Sequence, residues 1–91
     1  MRIAISDKAP LQFDGVTIRK AMLGNGDYVD LKAFSPNPDS PLRQFLTSLK
    51  AYEVLETEGE ISLSKSGFRQ IVISLMPVVV PPMELGRLNV V

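Results

Sequence analysis

The sequence predicts a small, mainly β domain with one helix, in the order β-β-β-α-β-β. Three observations lead there. Short segments with alternating apolar residues recur along the chain, separated by turns rich in Gly, Asn and Pro. One segment instead carries its apolar residues at helical spacing. The chain has 91 residues, enough for one domain with a modest core.

Arg2 to Ser6 alternates, with Ile3 and Ile5 on one side, and forms the first strand; Lys8-Ala9-Pro10 interrupts it. Asp14-Gly15 signals a turn. Val16 to Leu23 follows as the second strand, with Val16, Ile18 and Met22 expected inside and Thr17 and Arg19 outside. Gly24-Asn25-Gly26-Asp27 is the clearest turn in the chain, because Asn and Gly tolerate positive φ. Tyr28 to Phe34 therefore returns as the third strand of an antiparallel hairpin. Its Val29, Leu31 and Ala33 point one way, and Tyr28, Asp30, Lys32 and Phe34 the other.

Three prolines between Ser35 and Pro41 exclude regular structure there. They also prepare a helix start: Ser40 caps the unpaired N–H groups and Pro41 suits the first helical position. Leu42, Phe45, Leu46, Leu49 and Tyr52 follow on one stripe, which predicts a helix from about Pro41 to about Tyr52 with that stripe in the core. Ala51 to Glu56 reads either as more helix or as the start of a strand. Glu60 to Ser64 is the fourth strand, with Ile61 and Leu63 inward. After the turn at Lys65-Ser66-Gly67, Phe68 to Leu75 is the fifth. There Ile71, Ile73 and Leu75 share the inner face, while Lys65, Phe68 and Arg69 are held outward.

Residues 1–76 thus read as one domain. Residues 77–91 read as a proline-containing tail, either an extended arm or a segment that pairs with another chain. The element order is that of a five-stranded oligonucleotide-binding (OB-like) barrel, whose helix lies between strands three and four. An open α+β sheet covered on one face by the helix has the same order.

Composition narrows the chemistry. With 45% hydrophobic and 22% charged residues the chain is ordinary for a folded domain. It has no cysteine, which excludes disulfides, thiolate zinc sites and a cysteine nucleophile. It has no histidine, which removes the commonest general base and metal ligand. No loop has EF-hand spacing, and Gly24-Asn25-Gly26 lacks the Gly-Lys-Ser/Thr ending of a phosphate loop. An enzyme, a metal and a small-molecule cofactor are therefore not expected. The start MRIAISDKAP has no long apolar run, and prolines break the apolar stretch Ile71 to Met83 well short of the ~20 residues of a membrane helix. A soluble, cytoplasmic protein is expected.

The formal net charge is zero, but Glu53, Glu56, Glu58 and Glu60 crowd into one segment, leaving six acids against ten bases elsewhere. The plain interpretation is a solvated acidic loop; the sharper one is a basic face kept clear of it. That face would carry Arg19, Tyr28, Lys32, Phe34, Lys65, Phe68 and Arg69. Aromatics interleaved with cations suit single-stranded nucleic acid, because unpaired bases stack on rings and cations neutralise phosphates. Asp30 and the zero net charge count against it. Burial of Tyr28 and Phe34 under the helix or the tail is the alternative.

Several short pieces carry a resemblance: MRIAIS followed by LQF, YVDL at Tyr28 to Leu31, AYEV at Ala51 to Val54, SGF at Ser66 to Phe68, and VVVP at Val78 to Pro81. In that order they resemble the small single-stranded DNA-binding (helix-destabilising) proteins of filamentous phages. The proline-rich helical segment and the tail depart from that pattern, as does the missing Gly-Lys-Pro-Tyr loop. The resemblance implies an OB-like barrel and homodimers that coat single-stranded DNA during phage DNA replication in the host cytoplasm. It also implies that Tyr28 and Phe68 stack on bases. The rival expectation is a small protein-interaction or adaptor module that associates through its apolar tail.

Overall fold

The computed structural model describes residues 1–83. The elements within these described residues are β1 (Arg2–Ile5), β2 (Leu11–Phe13), β3 (Val16–Leu23), β4 (Tyr28–Phe34), α1 (Pro41–Ser48), β5 (Val54–Glu56), β6 (Ser62–Leu63), β7 (Arg69–Val72) and β8 (Val78–Val79). They form one sheet in the order β6-β7-β4-β3-β1-β5-β8, with β2 also on β3. The β4–β7 pair is parallel and the others are antiparallel. The fold is thus mainly β with one helix, and the sheet is open rather than a closed barrel. β6 at one end and β5, next to last at the other, lie close in sequence: residues 57–61 alone separate them.

β1 and β2 are one interrupted strand along β3. Ile3 to Ile5 pair with Leu23 to Ala21, and Leu11 to Phe13 pair with Ile18 to Val16. The break falls at Lys8-Ala9-Pro10, as the sequence predicts; the strand character of Leu11 to Phe13 does not follow from it. The Gly24–Asp27 turn closes β3 onto β4, with the Asn25 side chain bonded to Asp27 and Gly26 at φ 90°.

The core gathers Ile3, Ile5, Ala21, Val29, Leu31, Ala33, Leu46, Leu49, Leu55, Ile71 and Ile73. Here β3 corrects the sequence reading. Thr17, Arg19 and Ala21 are its buried residues, while Val16, Ile18 and Met22 are half-buried on the outer side. The reason is α1, which lies across the inner face of β3 and brings polar acceptors with it. Arg43, on the same side of the helix as Leu46, is buried. It donates from Nε to Thr17 Oγ1 (2.9 Å), from Nη1 to the Ser35 carbonyl (2.8 Å), and from Nη2 to the carbonyls of Phe13 (3.1 Å) and Val16 (3.3 Å). Gln12 and Thr47 extend this network, since Thr17 Oγ1 donates to Gln12 Oε1 and Gln12 Nε2 donates to Thr47 Oγ1.

The helix starts as the sequence predicts. Ser40 is extended (φ −60°, ψ 147°), its Oγ accepts from the Arg43 N–H, and Pro41 is the first helical residue. It ends earlier than expected. Leu49 turns extended (φ −65°, ψ 138°), and the chain is captured by β1: Tyr52 N–H donates to the Ile5 carbonyl and Ile5 N–H to that of Glu53. Tyr52 therefore sits at φ 69°, 71% exposed, outside the core. Ala51 to Glu56 resolves as a turn that leads into β5.

The late hairpin is shorter than expected. Ile61, Leu63 and Leu75 are exposed, whereas Ile71 and Ile73 are buried. Leu63 pairs with Arg69, which is itself exposed on the Ile71 side, so the hairpin reaches past the end of the core. Residues 77–80, expected to open a tail, lie back on the sheet: β8 pairs with β5, Val80 N–H donates to the Val54 carbonyl, and Pro77 and Val80 are buried. The rest of the expected tail, 84–91, lies outside the described residues.

Arg43→Ala is expected to cost about 2–4 kcal/mol, because it strands buried oxygens without donors. Arg43→Lys will recover little of that loss, since one ammonium cannot reproduce the planar fork. Urea denaturation followed by circular dichroism measures both.

Candidate functional site

The outer face of β3 and β4 holds three of the seven residues the sequence singled out, Tyr28, Lys32 and Phe34. Val16, Ile18, Lys20 and Met22 of β3 stand directly opposite Phe34, Lys32, Asp30 and Tyr28 of β4. The parallel β7 adds Gln70 beside Asp30 and Val72 beside Lys32. Strand parity puts Phe68 on the same side. Tyr28, Phe34 and Phe68 are 56%, 58% and 63% exposed, so none packs under the helix or β8.

The hairpin turn presents its residues by local bonding. Gly67 at φ 85° allows the tight turn, and its N–H donates to the Ser64 carbonyl. Ser64 Oγ accepts from the Phe68 N–H, and Ser64 N–H donates to the Phe68 carbonyl. Between this hairpin and the outer side of β4 runs an open groove of about 510 Å³. Lys32, Phe34, Lys65 and Phe68 line it, with Asp30, Leu63, Ser64, Ser66 and Gln70. Four of the seven singled-out residues thus come together from two segments far apart in sequence.

The electrostatics of the groove depend on who is paired. Asp30 is bound by Lys20 across the β3–β4 ladder, Nζ to Oδ1 at 2.7 Å, so its charge is locally compensated. The Lys32 and Lys65 ammonium groups have no ion-pair or hydrogen-bond partner among the described residues. Arg69 is engaged: its Nη1 lies 2.6 Å from Asp27 Oδ2 and ties the hairpin to the β3–β4 turn. The acidic segment is partly used in structure as well. Glu56 pairs with Arg2 and the N-terminus, and Glu53 accepts from the Lys50 N–H.

Arg19 does not belong to this face. It is 4% exposed beneath the helix, where its Nη1 donates to the carbonyls of Leu46 (3.0 Å) and Leu49 (2.8 Å). It caps the end of α1, where the helix dipole and orphan carbonyls favour a cation. Burial lowers its pKa from the ordinary arginine value, and the Glu53 charge opposes that shift.

The sequence reading missed the rest of the outer face. Leu11 and Phe13, on β2, are exposed beside Ile18 and Val16. Their alternation in Leu-Gln-Phe was the available signal. Lys8, Leu11, Ile18 and Lys20 line a smaller cleft that shares Asp30 with the groove. Comparison with known families, curated proteins and solved structures returned no match.

Two arginines separate the structural role from the surface one. Arg19→Ala will destabilise the fold by about 2–3 kcal/mol, through helix-end carbonyls left buried without a donor. Arg69→Ala will cost less than about 1 kcal/mol, as an exposed pair. Chemical denaturation of the two variants in parallel decides this, and equal losses would contradict it.

Proposed function

We propose that this chain is a non-enzymatic, cytoplasmic single-stranded DNA-binding protein, and that its sheet is a partly open OB-like barrel. The observation that carries the proposal is the groove where Phe34 and Phe68 stand exposed with the unpaired Lys32 and Lys65. Rings offer bases a stacking surface whatever the sequence, and the two ammonium groups suit the phosphates between them.

Strand order supports the barrel. If β1–β2 counts as one strand and β5–β6 as another, strand one pairs with strands two and four, strand three pairs parallel with strand five, and the helix joins strands three and four. In OB folds, the face of strands two and three and the loops after strands one and four bind oligonucleotides. The equivalent parts here are the β3–β4 face, the Asp14-Gly15 turn and the Ser64–Gly67 turn. The resemblance to filamentous-phage proteins points the same way.

Titration of a labelled oligo-dT at low salt tests the reading. Phe34→Ala and Phe68→Ala should each weaken binding by ~1–3 kcal/mol, the cost of a lost stack. Lys32→Ala and Lys65→Ala should each flatten the dependence of log K on log salt by about 0.7. Absence of binding at micromolar protein would sink the proposal.

A second reading, association with another copy, rests on a different surface. Residues 71–83 carry no charge, and within them Leu75, Met76, Val78, Val79 and Met83 are exposed. β8 is the last strand of the sheet, and its outer edge has no partner among the described residues. Strand addition there would build a homodimer. Sedimentation should give a dimer for the native chain and a monomer for Val78→Lys, because an edge lysine blocks pairing. A native monomer at tens of micromolar removes this reading.

A further inference from the structure

We infer that Phe13 and Phe34 form a clamp for one unpaired nucleobase on the outer face of the sheet, an inference that rests on the proposed nucleic-acid binding. Phe13 stands directly opposite Val16 across β2–β3, and Val16 stands directly opposite Phe34 across β3–β4. Directly opposed residues point to the same side, so both rings rise from one face with Val16 between them. The rings are 57% and 58% exposed, and Val16 is half-buried as the floor.

The spacing suits one planar ring. Two successive antiparallel pairs separate the Cα atoms of Phe13 and Phe34 by about 10 Å. A base stacked between two phenyl rings needs about 7–8 Å between them, from ~3.5–4.0 Å on each side. A shorter interval would close the slot, and a longer one would leave a ring without contact. Both sides of the clamp are held on paired strands, and the Phe13 and Val16 carbonyls accept from buried Arg43, so the slot is formed before anything enters it.

Its surroundings favour a nucleic acid over an apolar partner. Phe34 also lines the groove with Lys32 and Lys65, so a strand in that groove reaches the clamp by continuing along β4. Beyond Phe13 lies an open cleft of about 330 Å³ between the Asp14-Gly15 turn and Pro36 and Pro38, where the strand leaves the face.

Fluorescence anisotropy with labelled oligo-dT, run on Phe13→Ala, Phe13→Leu, Phe13→Trp and Phe68→Ala, tests the clamp. Phe13→Ala and Phe13→Leu should each weaken binding on the order of tenfold, while Phe13→Trp keeps native affinity, because stacking needs a ring and not merely apolar area. Thermal melts confirm that each variant is folded. If Phe68→Ala weakens binding and Phe13→Ala does not, the clamp is overturned and the groove stands. If Phe13→Leu binds like the native chain, the face makes apolar contacts only and the clamp is again overturned. If the native chain binds no oligonucleotide, the parent reading fails and takes the clamp with it.

Discussion

Two buried arginines, reaching in opposite directions, hold the helix to the sheet. Arg43 points from the helix to β3 and its flanking turns, where Thr17, Phe13, Val16 and Ser35 supply four oxygens. Arg19 points from β3 to the helix, where Leu46 and Leu49 supply two carbonyls. A buried guanidinium without acceptors is costly; here carbonyl and hydroxyl oxygens supply acceptors, and the Glu53 charge also favours the ionised form of Arg19. Arg43 donates from Nε and both Nη atoms, whereas Arg19 donates from Nη1 to the helix-end carbonyls while its buried Nε has no partner among the described residues. The helix position, the end of α1 and the conformation of the proline-rich connection all depend on this exchange.

That arrangement decides which surface remains for function. With Thr17, Arg19 and Ala21 turned inward, the alternate residues Val16, Ile18, Lys20 and Met22 face outward beside β4. The outer face is consequently richer in apolar and aromatic groups than an ordinary solvated sheet face. Phe13, Phe34, Tyr28 and Phe68 are all open on it or at its margin. Patches of this kind mark interaction sites in soluble domains. The charges on the face are sparse and mostly basic, with Asp30 compensated by Lys20. The acidic segment, Glu53 to Glu60, runs from just before β5 to just before β6, off the β3–β4 face.

The parallel β4–β7 pairing matters in the same way. It carries the Ser64–Gly67 hairpin to the flank of β4, so Phe68 and Lys65 line one groove with Phe34 and Lys32. No local pattern in either segment announces this partner, because parallel neighbours are joined through a long connection. The turn at Lys65-Ser66-Gly67 and the outward parity of Phe68 were legible from the residues alone. Their position against β4 was not, and nor was the pairing of Arg69 with Asp27.

Local chemistry by itself determined the β3–β4 hairpin, its Asn-Gly turn, the inner and outer sets of β4, and the start of the helix at Ser40 and Pro41. These rest on forces within a few residues: alternation, positive φ, and capping of adjacent N–H groups. Tertiary structure decided the orientation of β3, the early end of α1, and the return of Val78 to Val80 to the sheet. A strand offers two faces, and apolar content favoured the wrong one for Val16, Ile18 and Met22. Thr17 and Arg19 are favourable inside only once the helix is in place. Their partners Arg43, Leu46 and Leu49 lie 26 to 30 residues away, so no reading of neighbouring residues reveals them.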